Sequence, residues 1–237
     1  MLVPKVKEAN NIRQYHRICL LNVDFKIFAM VLNNRFTPIA KEVIGCNQTG
    51  FIKGRNILEC VIILHEVIHE LKTSKRQGLI MKIDFEKAYD KVRWDFLEEV
   101  MLGKGLPVEW IGWVMQIVKG GRVCVNVNVH QGRYFKTYQG LRQGDPLSPI
   151  LFNMVADAPS AFLDKAVQQK RVVGVLSHLI HGGISHIRYA DDTVIMIDAF
   201  DQSILNLMLI LYYFEWLSGL KINFHKSEVF VFRVEQL

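Results

Sequence analysis

The sequence contains few of the residues that mark secreted or modular proteins. Its four cysteines, at positions 19, 46, 60 and 124, have neither the density of a disulfide scaffold nor the CxxC spacing of a zinc site. They indicate reduced thiols, so we expect an intracellular protein of the cytoplasm or the nucleus and not a secreted one. The chain has only six prolines and no low-complexity tract, so no linker between domains is evident.

Long hydrophobic runs are missing as well. The longest apolar stretches, residues 61–71 and 204–217, are interrupted by His, Glu or Asn and fall short of the roughly 20 apolar residues that a transmembrane helix needs. No signal-peptide pattern opens the chain. The sequence therefore predicts a soluble protein that does not enter a membrane.

The composition is otherwise that of a folded, basic protein. Half of the 237 residues are hydrophobic, which is enough for a sizeable core. Lys and Arg number 29 against 23 Asp and Glu, so the net charge is +6 and the pI is near 9.1. This excess of positive charge favours a polyanionic partner.

The spacing of apolar residues predicts a mixture of helices and strands. Helices are predicted over residues 24–40, 57–74, 93–105, 108–119, 147–168 and 202–217. Strands are predicted over residues 79–85, 121–129, 133–138, 186–190, 193–197, 221–224 and 228–232, with a turn at 130–132. From residue 79 onward this order indicates an antiparallel sheet with helices on one face, which is an α+β fold.

The segment RYADDTVIMI places two adjacent acids, Asp191 and Asp192, between two short apolar strands. One interpretation is an ordinary hairpin turn. Two like charges about 4 Å apart, however, repel by roughly 4 kcal/mol at an effective dielectric constant near 20, so the pair calls for a counter-ion. Mg²⁺ takes hard oxygen ligands and is usually held by one or two carboxylates together with substrate phosphates.

A third acid, Asp84, ends the predicted buried strand in the segment KIDFEKAYD. A sheet that places this strand beside the strand at 187–190 would bring Asp84 and Asp191 to one metal site. Two cations held there could stabilise both the attacking and the leaving oxygen of a phosphoryl displacement. The alternative is a surface carboxylate that pairs with Lys82 or Lys87.

Two loops offer groups that could bind a ligand. In GLRQGDPLSPILFN, Gly140 and Gly144 allow the backbone to approach a ligand closely, and Gln143 offers amide donors; the alternative is a plain helix start. In NQTGFIKGRNI, Lys53 and Arg55 could clamp a triphosphate or a template backbone, although a solvated basic loop has the same composition.

Taken in order along the chain, these segments resemble the reverse transcriptases of LINE-type, non-LTR retrotransposons, with plant elements as the nearest likeness. The resemblance extends over essentially the whole chain. It is carried by LVPKVKEANN, LLNVDFKIFAMVLNNR, QTGFIKGRN, KIDFEKAYDKVRWDFL, YQGLRQGDPLSPILFN, RYADDT and GLKINFHKSE.

The resemblance implies the fold of a right-hand polymerase, with a fingers-like segment at residues 1–78 and a palm-like segment at residues 79–237. It implies an RNA-directed DNA polymerase that acts on an RNA template, a DNA primer and dNTPs. Asp84 and Asp191 are then the main metal ligands and Asp192 the neighbouring carboxylate of the catalytic set. Two Mg²⁺ ions, which Mn²⁺ could replace, are the implied cofactors.

The resemblance also implies contacts to the incoming nucleotide. Tyr89 matches the aromatic residue that crowds a ribose 2′-hydroxyl, and Lys226 matches a lysine near the leaving pyrophosphate. The remaining nucleotide-binding residues implied are Gln143 and Gly144 in the loop beside the nucleotide, and Lys53 and Arg55 in the fingers.

The sequence departs from the family pattern at several points. His16 and Arg17 stand where the family usually has Arg-Pro, and Pro159 falls inside a predicted helix, where a proline can cost about 3 kcal/mol. The primer grip, the thumb and an endonuclease domain are not recognisable. We therefore expect a truncated copy of a mobile element, in which the activity of the isolated chain is an open question.

Two other functions stay open, and the oligomeric state is undetermined. HEVIH matches the HExxH pattern of zinc metalloproteases, with His65 and His69 as ligands and Glu66 as base, but the pattern does not continue toward a third histidine. The other alternative is a non-catalytic remnant that binds nucleic acid through Lys and Arg contacts to phosphates.

Overall fold

The computed structural model describes residues 2–127 and 130–232. Its helices are α1 (Val23–Phe36), α2 (Ala40–Val43), α3 (Ile57–Thr73), α4 (Ala88–Lys91), α5 (Trp94–Gly103), α6 (Val108–Lys119), α7 (Ser148–Gln168) and α8 (Asp201–Ser218). Its strands are β1 (Leu2–Pro4), β2 (Tyr15–Arg17), β3 (Gly78–Ile83), β4 (Asn126–Val127), β5 (His130–Gln131), β6 (His186–Tyr189), β7 (Asp192–Ile197) and β8 (Glu228–Phe232). The predicted α+β class is confirmed, and the long helices lie within a few residues of their predicted bounds.

The central sheet has four antiparallel strands in the order β6-β7-β3-β8. The strand that leads to Asp84 therefore pairs with β7, and Ile83 lies opposite Thr193. The prediction that this strand lies beside the 187–190 strand was wrong, because β7 lies between them. β3 and β7 carry apolar residues on both faces, so they occupy the two inner positions of the sheet, where both faces are covered.

Both faces of the sheet pack against helices. Ile83 and Ile195 belong to the large core that contains the buried sides of α5, α6, α7 and α8. Ile80 and Met196 point to the other face, where Val67 of α3 packs against them. The prediction of helices on one face was therefore wrong: alternate residues of β3 and β7 are also apolar and are buried on this second face, where α3 and Val175–Leu176 cover them.

The short strands were predicted less well. Residues 126–127 pair with 130–131, so His130 and Gln131, predicted in the turn, are paired residues, while residues 128 and 129 lie outside the described part of the chain. Residues 133–138 contribute only the isolated bridge of Phe135 with Val123. Likewise, residues 221–224 form no strand beside β8, and Ile222 makes only an isolated bridge to Phe85.

The two departures from the family pattern are accommodated within regular structure. The helix α7 continues through Pro159, which is buried in it. His16 and Arg17 lie in β2, opposite Val3 and Leu2 of β1. Within residues 2–127 and 130–232, no helix is both long and apolar enough to cross a bilayer.

Candidate active site

Asp84 directly follows β3 and is held by a loop near the end of the chain. The backbone N–H of Asp84 donates to Ser227 Oγ (3.1 Å), and its carbonyl accepts from the backbone N–H of Asn223 (2.8 Å). Asn223 Nδ2 also donates to Asp84 Oδ2 (3.0 Å). One neutral amide side chain thus orients the carboxylate, and the backbone bond from Asn223 belongs to the isolated bridge of Ile222 with Phe85.

The adjacent acids lie at the end of the β6-β7 hairpin. Tyr189 and Asp192 form its last pair, so the turn consists of Ala190 and Asp191. Ala190 has a φ of +56°, in the left-handed region that residues other than glycine rarely adopt. Both carboxylates are exposed. Ile83 of β3 pairs with Thr193 of β7. Continuing this register by one residue places Asp84, which follows β3, opposite Asp192.

The three acids influence one another electrostatically. Desolvation raises the pKa of Asp191 above its ordinary value, and the negative charges of Asp192 and Asp84 raise it further. None of the ion pairs formed by the described residues includes these acids. A cluster of carboxylates without a positive partner fits a divalent cation.

The three acids alone do not form a complete metal-binding site. Among the described residues, no three His, Cys, Asp or Glu side chains are grouped so that they could hold a metal ion by themselves. Mg²⁺ commonly takes only one or two carboxylates and completes its coordination with water and substrate phosphates. The residues present therefore fit a site that would be completed by a phosphate-bearing substrate.

Tyr89 lies beside the acids. Its ring stacks on Phe152, with ring centroids 4.8 Å apart. Burial and the negative charge of Asp191 raise the pKa of Tyr89 to about 12. Its carbonyl accepts a hydrogen bond from the backbone N–H of Leu141 (2.6 Å), which ties the following glycine-rich loop to the same place.

The glycine-rich loop packs closely against its neighbours. Gly140 has a φ of +91°, and a Cβ there would lie 2.6 Å from the carbonyl oxygen of Asp90. Gly144 has a φ of +98° and lies against Cys19. Between them, Gln143 has a buried Oε1 without a hydrogen-bond partner. A buried acceptor left unpaired costs about 1–3 kcal/mol, so a ligand that donated to it would gain affinity.

Lys53 and Arg55 differ in their surroundings. Lys53 is exposed and lines an open cleft of about 470 Å³ together with Phe51 and Tyr189. The Arg55 guanidinium instead donates to backbone carbonyls, with N···O distances of 2.6–3.1 Å; these belong to Lys41, Ile44, Gly45 and Gln48. Four hydrogen bonds use most of its donors, so the geometry gives Arg55 a bracing role, and nucleotide binding by it stays a prediction.

Lys226 is an exposed residue of the loop that holds Asp84. Its backbone N–H donates to the carbonyl of Asn223 (3.0 Å). A tight turn therefore connects Lys226 to Asn223, the residue that contacts Asp84. The structure therefore brings together residues from four segments that are far apart in sequence. Tyr89, Gln143 and Lys226 each belong to a segment that is tied by hydrogen bonds to the same region.

Sequence reasoning missed two side chains that hold the acids, Asn223 and Gln48. Gln48 is fully buried, and its amide forms hydrogen bonds to both the N–H and the C=O of Ala190. The close approach leaves no room for a side chain at Gly50, where a Cβ would lie 2.4 Å from the Ala190 nitrogen. A glycine two residues after a glutamine in NQTGF was the only signal, and by itself it indicates nothing about which segment is approached.

The HEVIH segment lies on α3, where its three candidate residues are exposed. The buried Val67 of the same segment faces the sheet. Its neighbour Glu70 lies 3.5 Å from His178, but the described residues contain no cluster of three potential metal ligands there. The structure thus adds nothing in favour of a zinc site.

Comparison with known proteins identifies the family. Residues 3–236 match the family described as "Reverse transcriptase (RNA-dependent DNA polymerase)". The chain is 28% identical over 158 residues, 67% of its length, to the Nasonia vitripennis "Retrovirus-related Pol polyprotein from type-1 retrotransposable element R2". It is 24% identical over 195 residues, 82% of its length, to the Xenopus laevis "Transposon TX1 uncharacterized 149 kDa protein". The chain therefore belongs to the reverse transcriptase family, and the resemblance to non-LTR retrotransposons is confirmed.

Solved structures confirm the fold. Telomerase from Candida tropicalis, solved with a fragment of telomeric RNA, matches 87% of this chain with a TM-score of 0.57 and 14% identity, and the match covers 33% of that protein. The predicted fingers-palm polymerase fold is thereby confirmed. The chain spans about 15% of the length of the curated relatives named above. Reverse transcriptases generally use divalent metal ions.

Proposed function

We propose that this chain is the RNA-directed DNA polymerase domain of a retrotransposon and transfers nucleotides to a primer 3′-hydroxyl. The observation that carries the proposal is the convergence of Asp84, Asp191 and Asp192 at the ends of two neighbouring strands, where desolvation and then the other two charges raise the pKa of Asp191. Such a cluster is unfavourable without a cation and useful with one.

In this proposal Asp84 and Asp191 hold two Mg²⁺ ions, for which Mn²⁺ can substitute, and Asp192 supports them. Two ions held there would supply activation of the primer 3′-hydroxyl and neutralisation of the charge on the departing pyrophosphate. The primer oxygen forms a bond to the α-phosphorus, the bond to the pyrophosphate breaks, and the hydroxyl proton goes to solvent.

The surrounding side chains position the nucleotide. The Tyr89 ring, fixed by its stacking on Phe152, limits the space beside the sugar and disfavours a 2′-hydroxyl. The unpaired Oε1 of Gln143 and the adjacent Gly144, which has a positive φ, lie in the loop proposed to contact the nucleotide. Lys53 approaches the triphosphate from the cleft, and Lys226 approaches the pyrophosphate.

The RNA template, DNA primer and dNTPs are the proposed partners, and an intracellular location follows from them. We also propose that residues 1–78 act as fingers and residues 79–237 as palm, within one continuous domain. The supporting observation is that β3 begins at Gly78, the last residue of the first segment, so the rest of the central sheet and all three acids lie in the second segment, whereas the Lys53 cleft is built largely by the first.

Primer extension tests the proposal. Purified protein is given a DNA primer on an RNA template in Mg²⁺ and then in Mn²⁺, beside an Asp191→Asn variant. An Asp201→Asn variant, altered at an exposed acid in the first turn of α8, is the matched control. We expect incorporation by the wild type and the control and none by Asp191→Asn. Full extension by Asp191→Asn would refute the metal assignment.

The same experiment separates the enzyme from a non-catalytic nucleic-acid-binding remnant, for which the net charge of +6 is the supporting observation. A remnant would bind the template with an affinity that falls steeply with salt but would incorporate no nucleotide in either metal. That result, from folded protein, would favour the remnant.

A further inference from the structure

The turn that carries Asp191 is held by one side chain from a distant segment. Gln48 is fully buried. Its Oε1 accepts hydrogen bonds from the backbone N–H of Ala190 (2.8 Å) and of Gly50 (2.9 Å), and its Nε2 donates to the carbonyl of Ala190 (3.1 Å). One amide side chain thus engages both backbone polar groups of the residue that precedes Asp191.

This turn needs an external support. Ala190 has a φ of +56°, and a non-glycine residue keeps such a conformation only where its surroundings enforce it. Because Asp191 is the next residue, the direction of its carboxylate depends on the backbone conformation of Ala190. The fully buried Arg188 adds little, since its NH2 group is 3.5 Å from the Ala190 carbonyl.

Gln48 is itself firmly placed. Residue 48 forms a parallel bridge with Arg188 along the outer edge of β6. Within this bridge the N–H of Arg188 donates to the carbonyl of Asn47 (2.8 Å), and the N–H of Thr49 donates to the carbonyl of Arg188 (3.0 Å). Arg55 donates to the carbonyl of Gln48 (2.7 Å). The side chain therefore transmits the position of the loop at residues 45–55 to the turn.

We propose that Gln48 is the positioning residue that fixes the Ala190–Asp191 turn and so sets the geometry of the Asp191 carboxylate. This inference rests on the proposed function. Gln48 acts through Ala190 and touches no substrate group, so its loss lowers kcat for nucleotide addition and leaves the KM for the nucleotide nearly unchanged. It also couples the loop that carries Lys53 to the acids.

The decisive variant is Gln48→Glu, which keeps the shape of the side chain. An ionised carboxylate at this position still accepts from the Ala190 N–H but cannot donate to the Ala190 carbonyl, whereas the protonated acid can do both, and burial favours the protonated acid. Primer extension by Gln48→Glu, relative to wild type, is therefore measured from acid to alkaline pH. Gln202→Glu, the same change at an exposed glutamine of α8, is the matched control.

We expect kcat relative to wild type to fall about tenfold in Gln48→Glu at alkaline pH, where the introduced acid is ionised, and to approach the wild-type value at lower pH, where it is protonated. The control should keep the wild-type kcat at every pH. If kcat of Gln48→Glu relative to wild type is the same at every pH, the inference is wrong.

A second variant keeps the inference testable if Gln48→Glu folds poorly. Gln48→Met has a similar volume and removes the acceptor of the Ala190 N–H, so hydrogen exchange should show about tenfold lower protection of the Ala190 amide than in wild type, with no change in Gln202→Met. Unchanged protection of Ala190 in Gln48→Met overturns the inference. Failure of the wild type to extend a primer would instead count against the proposed function, because the exchange experiment needs no catalysis.

Discussion

The acids at the end of β3 and in the β6-β7 turn are held in different ways. Asp84 continues a central strand, and the loop around Asn223 forms hydrogen bonds to its backbone and its carboxylate. Asp191 lies in a turn with a strained neighbour, and its support comes from Gln48, 142 residues away from Ala190. The position of Asp84 thus depends on the sheet, whereas that of Asp191 depends on a contact between the predicted fingers and palm segments.

This difference makes the turn the more vulnerable half of the site. A change that separates the loop at residues 45–55 from β6 would release Asp191 without disturbing Asp84. A change in the late loop would rotate the Asp84 carboxylate but leave the turn in place. The following variants test this division, beginning with the largest expected effect.

The contact of Gly50 with the turn should be the most sensitive point. A Cβ at Gly50 would lie 2.4 Å from the Ala190 nitrogen and 2.9 Å from its Cα, so Gly50→Ala forces two backbones apart. We expect the free energy of unfolding to fall by about 1–3 kcal/mol and primer extension to be lost. Urea unfolding and primer extension measure the two effects.

Gly103→Ala is the control for this variant. Gly103 ends α5, and a Cβ there would meet nothing within 4 Å. We expect it to be neutral or to stabilise the protein by about 0.4–1 kcal/mol, because alanine restricts the unfolded chain. Equal unfolding free energies for Gly50→Ala and wild type would show that the two segments are not in rigid contact.

Variants of Arg55 and Lys53 should distinguish a structural role in the loop from a role in nucleotide binding. Arg55→Lys loses the planar group that reaches four carbonyls, so we expect a loss of about 1–3 kcal/mol in the free energy of unfolding. Lys53→Ala should change the unfolding free energy by less than about 0.5 kcal/mol and should raise the KM for dNTPs. Thermal unfolding and steady-state kinetics of both variants provide the comparison, and a stable Arg55→Lys with a raised KM would reverse the assignment.

Asn223→Ala tests the support of Asp84. It removes the donor to Asp84 Oδ2, so we expect kcat to fall about tenfold, with a loss of only about 0.5–1.5 kcal/mol in the free energy of unfolding. Asn206→Ala, which removes an amide hydrogen bond from α8 to the carbonyl of Arg171, is the control. If both variants retain wild-type kcat, Asp84 is oriented by its strand alone.

The smallest expected effect is the pH dependence of stability that Asp191 causes. Its pKa is raised in the folded protein, so between the unfolded and folded pKa values the native state binds more protons and stability falls as the pH rises. Below the unfolded pKa this penalty is absent, and above the folded pKa it is complete. Asp191→Asn should therefore show a smaller decrease in unfolding free energy over that window than wild type, measured by urea unfolding at a series of pH values.

The effect of divalent cations on stability provides a second test of Asp191. The proposed function requires a Mg²⁺ site formed by the native arrangement of the carboxylates, so Mg²⁺ should raise the unfolding temperature of wild type more than that of Asp191→Asn. An equal rise in both proteins would indicate binding elsewhere on the chain.

Local patterns were sufficient for the parts of the fold whose structure depends on neighbours in sequence. The amphipathic spacing located α3 and α6, and the Asp191–Asp192 pair marked a hairpin, because periodicity and turn chemistry act over a few residues. The sequence motifs also indicated the family. Strand order was missed, because the pairing of β3 with β7 joins segments about a hundred residues apart and no local preference encodes it.

The sequence by itself determined which residues are candidates for the chemistry: the three acids, the aromatic at position 89, and the polar and basic groups of the loops. Only the tertiary structure decided how those groups are held. Gln48 and Asn223 are ordinary amides in the sequence, and Arg55 looks like a free cation until its four carbonyl partners are known. The reason is physical: a hydrogen bond depends on distance and direction between two groups, and for segments far apart in sequence these quantities exist only once the chain has folded.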